Sequence, residues 1–286
     1  MKIKVLTLFR NSEEKLDKYF KRIAALEKKH SEWEFEYFFY ENDSHDNTVE
    51  LLEEWMKGKK GKLLSERLEM PRWGHEGAGP RMVAMAQCRE KVLELARPLD
   101  CDWLFILDSD VVYSPNIIEK YLEIEGPVMY TPNIEHNIDC GMCDPPCKNK
   151  AYYDTQALED SIGNGGMLFA CNPFWNDKDR TRWEKKQFVE VNTAYGGAAL
   201  VKAEIADKCS FLPCRGWIDL ETFLKGVSER GPLVVVPTVK TYTHITKPAT
   251  VDINFIKYQK ATLKDVWKQY MGRIKRNKFE VKEEKK

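Results

Sequence analysis

The sequence predicts an α/β fold, a single domain with a mostly parallel central sheet flanked by helices, and further helices at the C-terminus. Three observations lead there. Apolar, β-prone runs alternate with segments of helical periodicity over the first 110 residues, the pattern of right-handed βαβ units. One run, Trp103-Leu104-Phe105-Ile106-Leu107, is continuously apolar, as suits a parallel strand covered on both faces. Finally, 43% hydrophobic and 12% aromatic residues are enough for a sizeable core and exclude a disordered or fibrous chain.

The elements follow in order. Residues 3–9 read as a first strand, and residues 13–30 as a helix with Leu16, Tyr19, Phe20, Ile23, Ala24 and Leu26 at helical spacing. Ser12 with Glu13 and Glu14 marks that helix's start. Residues 34–40 form a second strand ending in an acidic turn from Glu41 to Thr48, in which Asp43 and Asp46 are expected to bond their own backbone. A short helix over 48–57 and a brief strand at 62–64 come next. Residues 70–80, rich in Gly and Pro, are a candidate lid or a plain surface loop. Residues 81–97 make a helix stopped by Pro98, and the buried strand follows. The stretch 252–286 reads as one or two helices and a charged tail. A length of 286 residues fits roughly two units of about 150, or one large domain with an appendage. The expected division is a main domain over 1–245, split near 112, and a C-terminal helical extension over 246–286.

Composition narrows the function. Lys and Arg total 45 and Asp and Glu total 45, so the formal charge is zero and a dedicated nucleic-acid binder is disfavoured. No apolar run approaches ~18 residues, so no transmembrane segment is expected. The opening Met1-Lys2-Ile3-Lys4-Val5 reads as a strand rather than a leader, so a soluble, cytoplasmic chain is expected. The basic stretch from Arg273 to Lys278 leaves peripheral membrane contact open. The eight cysteines are then expected as free thiols. The run Cys140, Cys143, Cys147 supplies only part of a zinc site and reads first as a Pro-rich loop.

Ligands of open parallel sheets sit beyond the carboxyl ends of the strands. Thr7, Phe9 and Arg10 end the first strand, Glu41 opens the turn after the second, and Asp108-Ser109-Asp110 follows the buried one. Two carboxylates at i and i+2 of an extended segment project to one side and repel, unless a cation sits between them. Hard oxygen donors favour Mg²⁺ or Mn²⁺, and such an ion can neutralise a departing diphosphate. The simpler alternative is an Asp that caps the helix near Pro115. No phosphate-binding glycine loop accompanies the triplet, which disfavours a nucleotide hydrolase or dinucleotide dehydrogenase.

The segment from Tyr40 to Thr48 resembles the acidic second-strand turn of GT-A glycosyltransferases. Arg89 is placed like the helix arginine before their metal strand, and Asp108-Ser109-Asp110 has the form of their Asp-x-Asp motif. The segment Tyr152 to Asp160 resembles the fungal capsule-associated mannosyltransferase family, and large-virus glycosyltransferases show similar blocks. The segment Asn192 to Leu200 looks like the acceptor-side Gly-Gly strand of the fold. The resemblance covers roughly residues 3–245 by order of blocks, and Glu159 stands where the fungal family more often has Arg.

This resemblance implies a metal-dependent transferase acting on a nucleotide diphosphate sugar, UDP-sugar favoured, with a glycan hydroxyl as acceptor and Mn²⁺ or Mg²⁺ as cofactor. Thr7, Phe9, Arg10 and Glu41 would lie at the nucleotide, with Phe9 alternatively core and Glu41 alternatively a solvated turn carboxylate. Asp108 would face ribose or metal with Ser109 beside it, Asp110 would coordinate the metal, and His244 would complete its shell. Arg81 and Arg89, at i and i+8 on one helix face, offer a cation to the diphosphate or donor sugar, or else are surface charge. Asp219, or else Glu221, would face the acceptor, as the base of an inverting reaction or, in a retaining one, only to orient acceptor or donor. Asp154, at an expected helix start shared with Asp160, is a further candidate. Trp217 would stack on a sugar or pack in the core. Competing readings are a sugar nucleotidyltransferase, which needs a Gly-rich loop that Arg10-Asn11-Ser12 does not supply, and a non-catalytic glycan-binding relative.

Overall fold

The computed structural model describes residues 1–70, 79–136, 151–167, 170–212 and 220–243. Strand β1 (Lys2–Phe9) is buried along almost its whole length, and α1 (Glu13–Lys29) returns across one face of the sheet. Acids fill the first turn of α1 and lysines its last, matching the helix dipole at both ends. Its buried stripe is Leu16, Tyr19, Ile23 and Leu26. Next come β2 (Glu34–Asn42), α2 (Thr48–Met56), β3 (Gly61–Glu66), α3 (Gly79–Ala96) and β4 (Trp103–Leu107). Tyr19 meets Phe9 and Phe39 edge-on, with ring centroids 5.2 and 6.0 Å apart, so α1 is clamped to β1 and β2 by aromatic packing. On the other face, Lys4 is buried with its charge used: Nζ donates to the Ala96 and Pro98 carbonyls at 2.9 and 2.6 Å, tying β1 to the end of α3.

The second half contains β5 (Val111–Tyr113), α4 (Ile117–Leu122), β6 (Met129–His136), β7 (Ala151–Tyr152), β8 (Glu159–Asp160) and α5 (Asp177–Glu184). It continues with β9 (Val189–Thr193), β10 (Ala198–Lys202), α6 (Ala203–Ala206), α7 (Leu220–Ser228) and β11 (Leu233–Thr243). All described strands join one sheet of order β3-β2-β1-β4-β10-β6-β11-β9-β8, with β5 on β11 and β7 on β6. The pairings set β1, β2, β3, β4, β6, β11 and β8 in one direction and β10, β9, β5 and β7 in the other. The sheet is therefore mixed but mostly parallel, with helices flanking it.

Register decides where the chemistry falls. β1 pairs with β2 up to Phe9↔Glu41 and with β4 up to Leu6↔Ile106, so Arg10, Glu41 and Asp108 leave the sheet at one edge. β10 runs back along β4 from Ala198↔Leu107, which brings the turn before it to the same edge.

Two expectations are corrected. Asp154 and Asp160 do not begin a helix. Asp154 lies in a turn after β7, where its carboxylate accepts backbone N–H groups of Gly196 and Ala157, and Asp160 belongs to β8. A carboxylate bonded to the N–H three residues on is shared by helix caps and isolated turns, and here the chain continues into a hairpin. Likewise Gly196 and Gly197 form a turn between β9 and β10, with φ of +65° and +72°, rather than part of a strand. Among the described residues no helix is long and apolar enough to cross a membrane. Cys88, Cys101 and Cys209 are free thiols, whereas Cys140, Cys143, Cys147 and the extension after Thr243 lie outside the described residues.

Candidate active site

Beyond the end of β4 the chain turns at once. The Asp108 N–H donates to the Gly197 carbonyl at 2.8 Å, and the Val111 N–H closes back on the Asp108 carbonyl at 3.4 Å before β5 begins. Asp108, Ser109 and Asp110 therefore occupy a turn, and the extended segment expected for them is not formed, although Asp110 still acts on the Asp108 carboxyl. Asp108 turns to Tyr195 of the Gly-Gly segment, whose hydroxyl donates to Oδ1 at 2.9 Å. Asp110 is half-exposed, at 47%, and pairs with Lys15 of α1 at 3.5 Å.

The Gly-Gly turn makes this geometry possible. A Cβ on Gly197 would lie 2.4 Å from Val111 Cγ2 and 3.3 Å from Asp108 Oδ2, and one on Gly196 would lie 2.9 Å from Pro132. Both residues also carry positive φ, which side chains of L-residues rarely adopt. The Gly196 N–H donates to the Asp154 carboxylate at 2.9 Å, so one turn fastens both Asp108 and Asp154.

Electrostatically the cluster is anionic. Burial pushes the Asp108 carboxyl up to about 7; Arg89 opposes the shift, while Asp110 and Asp154 add to it. Burial also raises Asp154, against its backbone hydrogen bonds and Arg89. Arg89, buried at the middle of α3, stands 5.9 Å from the Tyr195 ring centre and is a cation within this group. Carboxylates held together with partial neutralisation are a setting that a divalent cation relieves, and oxygen donors of this kind suit Mg²⁺ or Mn²⁺. Among the described residues no group of three His, Cys, Asp or Glu side chains forms a metal shell on its own.

The remaining candidates divide. Arg81 lies near enough to act on the Tyr153 phenol at the same cluster. Arg10 donates to the Met70 carbonyl at 2.7 Å and lies 4.0 Å from Asp43, at the neighbouring strand ends. Phe9 takes the core alternative, being 2% exposed against Tyr19 and Phe39. Thr7 is likewise buried, its hydroxyl sharing a 2.8 Å hydrogen bond with that of Tyr19, so neither side chain offers a face to a ligand. Glu41 is 1% exposed, neither solvated nor open: it accepts the Ser44 N–H at 2.7 Å and the Ser65 hydroxyl at 2.6 Å, fastening β2 to β3. Asp46 accepts the N–H of Thr48 within its own turn, as expected, and also that of Glu13, whereas Asp43 departs from the expectation: it accepts the N–H groups of Leu68, Glu69 and Met70 beyond β3 and so ties two segments together. Glu221 is exposed in the first turn of α7, whose opposite face buries Phe223, Leu224 and Val227. Asp219, Trp217, His244 and residues 71–78 of the candidate lid lie outside the described residues.

Tyr195, Tyr153 and Lys15 belong to this edge and were not singled out by sequence. Tyr195 directly precedes the Gly-Gly pair, and its role comes from the docking of Gly197 on Asp108, which the local sequence does not encode.

A mixed sheet with a carboxylate-bearing turn at the end of its central parallel strand is the GT-A architecture. Residues 5–207 match glycosyl transferase family 2, and the chain belongs to that family. Similar solved structures include S. aureus TarS 1–349 in complex with UDP, with a TM-score of 0.50 at 12% identity over 85% of this chain and 60% of that one. The mannosyltransferase PcManGT from Pyrobaculum calidifontis, in complex with GDP-Man and Mn²⁺, gives 0.49 at 12% identity over 86% and 58% of the two chains. The inositol-1-phosphate CTP transferase from T. maritima gives 0.44 at 10% identity over 86% and 90%. The chain thus spans about 60% of the length of the first two, and at these identities the likeness concerns the fold. No curated protein matches the chain.

Proposed function

We propose that this family 2 domain is a metal-dependent glycosyltransferase that moves a sugar from a nucleotide diphosphate sugar, UDP-sugar favoured, to a glycan hydroxyl. The observation that carries this reading is the meeting of Asp108, Asp110, Asp154 and Arg89 around one glycine turn at the carboxyl edge of the parallel strands. Asp110, half-exposed at that edge, is the residue to hold Mn²⁺ or Mg²⁺, with Asp108 beside it. His244 follows Thr243, whose register partner Val111 adjoins Asp110, and it is the remaining candidate ligand. The bound cation would supply neutralisation of the leaving diphosphate. Arg89 and Arg81 are cations for the same charge, and Asp154, bonded to Gly196, holds the turn in shape.

In this reading the half up to about residue 112 binds the nucleotide, the half to about 245 binds the acceptor, and residues 246–286 are an extension. The action is placed in the cytoplasm, and the blocks around Tyr153 support a relationship to the fungal and large-virus enzymes. Thr7, Phe9 and Glu41 then shape the nucleotide pocket from within rather than touching the base, and Arg10 is the side chain of that group at the edge.

For the acceptor, Asp219 is the proposed base, with Glu221 second. Asp219→Ala is expected to lower transfer by about 10²- to 10⁴-fold while leaving nucleotide affinity unchanged. Single-turnover transfer beside calorimetric titration reads this out, and transfer that survives the substitution removes Asp219 from that role. The function itself is tested by offering a panel of nucleotide sugars and following Mn²⁺-dependent release of the diphosphate. No turnover of any of them would reject an active transferase.

A further inference from the structure

Beside the carboxylates stands a large ring that is about half exposed. Tyr153 is 48% exposed, whereas its neighbour Tyr152 is 2% and Tyr195 is 3% exposed. Its backbone is nonetheless fixed: the N–H donates to the Ile134 carbonyl at 3.0 Å, and the carbonyl accepts the Thr155 N–H at 2.9 Å. The next residue, Asp154, is fastened to Gly196, and Gly197 in turn holds Asp108. The ring is thus carried on a rigid mount at the edge of the cluster: burial raises its phenol, Asp154, Asp110 and Asp108 add to the rise, and Arg81 opposes it.

The sheet order places it relative to a donor. The ends of β1 and β2, where Arg10 and Glu41 stand, lie on one side of β4. Tyr153 follows β7, which pairs with β6 on the other side of β4. A nucleotide sugar whose diphosphate rests at Asp110, with its nucleoside toward β1 and β2, directs its sugar toward β6 and β7. A pyranose has an apolar C–H face and a polar rim, and an aromatic ring bordered by carboxylates and a guanidinium matches both.

Resting on the proposed function, we propose that Tyr153 is the platform on which the donor's sugar ring stacks, and so a determinant of which nucleotide sugar is accepted. The test is calorimetric titration of the full chain with Mn²⁺, comparing UDP with UDP-glucose, UDP-galactose and UDP-N-acetylglucosamine, and GDP with GDP-mannose. Wild type is expected to bind one sugar nucleotide more tightly than its parent diphosphate. Tyr153→Ala is expected to lose about tenfold of affinity for that sugar nucleotide with the diphosphate unchanged, and Tyr153→Phe to retain it. An equal loss for diphosphate and sugar nucleotide would assign Tyr153 to the nucleoside or to the backbone mount and overturn the proposal, as would no loss at all. If wild type binds neither diphosphate, the transferase reading itself fails, and the platform with it.

Discussion

Asp110→Ala is expected to lower metal-dependent turnover of the donor by about three orders of magnitude, the equivalent of about 4 kcal/mol of transition-state stabilisation. The argument starts from placement. Asp110 is the carboxylate of the cluster that stands half in solvent, and its partner there is a half-exposed lysine at 3.5 Å, a contact that contributes little to folding. The side chain therefore has slight structural work, and its loss is expected to leave the melting temperature nearly unchanged. Asp108 differs: it is bonded to Tyr195 and packed against Gly197, so replacing it alters structure and chemistry together. A Lys15→Ala control removes the ion pair without the carboxylate. If Asp110→Ala turns over the donor at the wild-type rate with Mn²⁺, the metal assignment is wrong.

Gly197→Ala has the second large effect, and it begins in the backbone. A φ of +72° costs an L-residue roughly 1–2 kcal/mol, and the new methyl would lie 2.4 Å from Val111 Cγ2. Relief requires the Asp108–Val111 turn to move, which breaks the bond from the Asp108 N–H to the Gly197 carbonyl. The expected outcome is a stability loss of about 2–4 kcal/mol by urea unfolding, together with weakened nucleotide binding in the folded fraction. A variant as stable as wild type, with unaltered UDP affinity, would show that the turn does not hold the site.

Periodicity reveals the first half of the fold because each element there carries its own signal. The α1 stripe of Leu16, Tyr19, Ile23 and Leu26 and the apolar β4 are local facts. The second half has elements without such signals. β5, β7 and β8 have three, two and two residues, too few for any period, and exist because distant partners supply their ladders, as Thr243 does for Val111. The site divides in the same way. The residue types at Asp108, Asp110, Asp154 and Arg89 announce their chemistry, but the turn that carries the two aspartates is held by Gly197, a long-range contact. Glu41 is hidden for a similar cause: Ser65, on the neighbouring strand, provides the hydroxyl that makes burial of its carboxylate tolerable.

Titration of UDP and GDP into the wild-type chain, once with Mn²⁺ and once with EDTA, bears most directly on the cation proposed at Asp110. The account predicts heat of binding for at least one of them with Mn²⁺ and none above background with EDTA. Equal affinity under both conditions would contradict it.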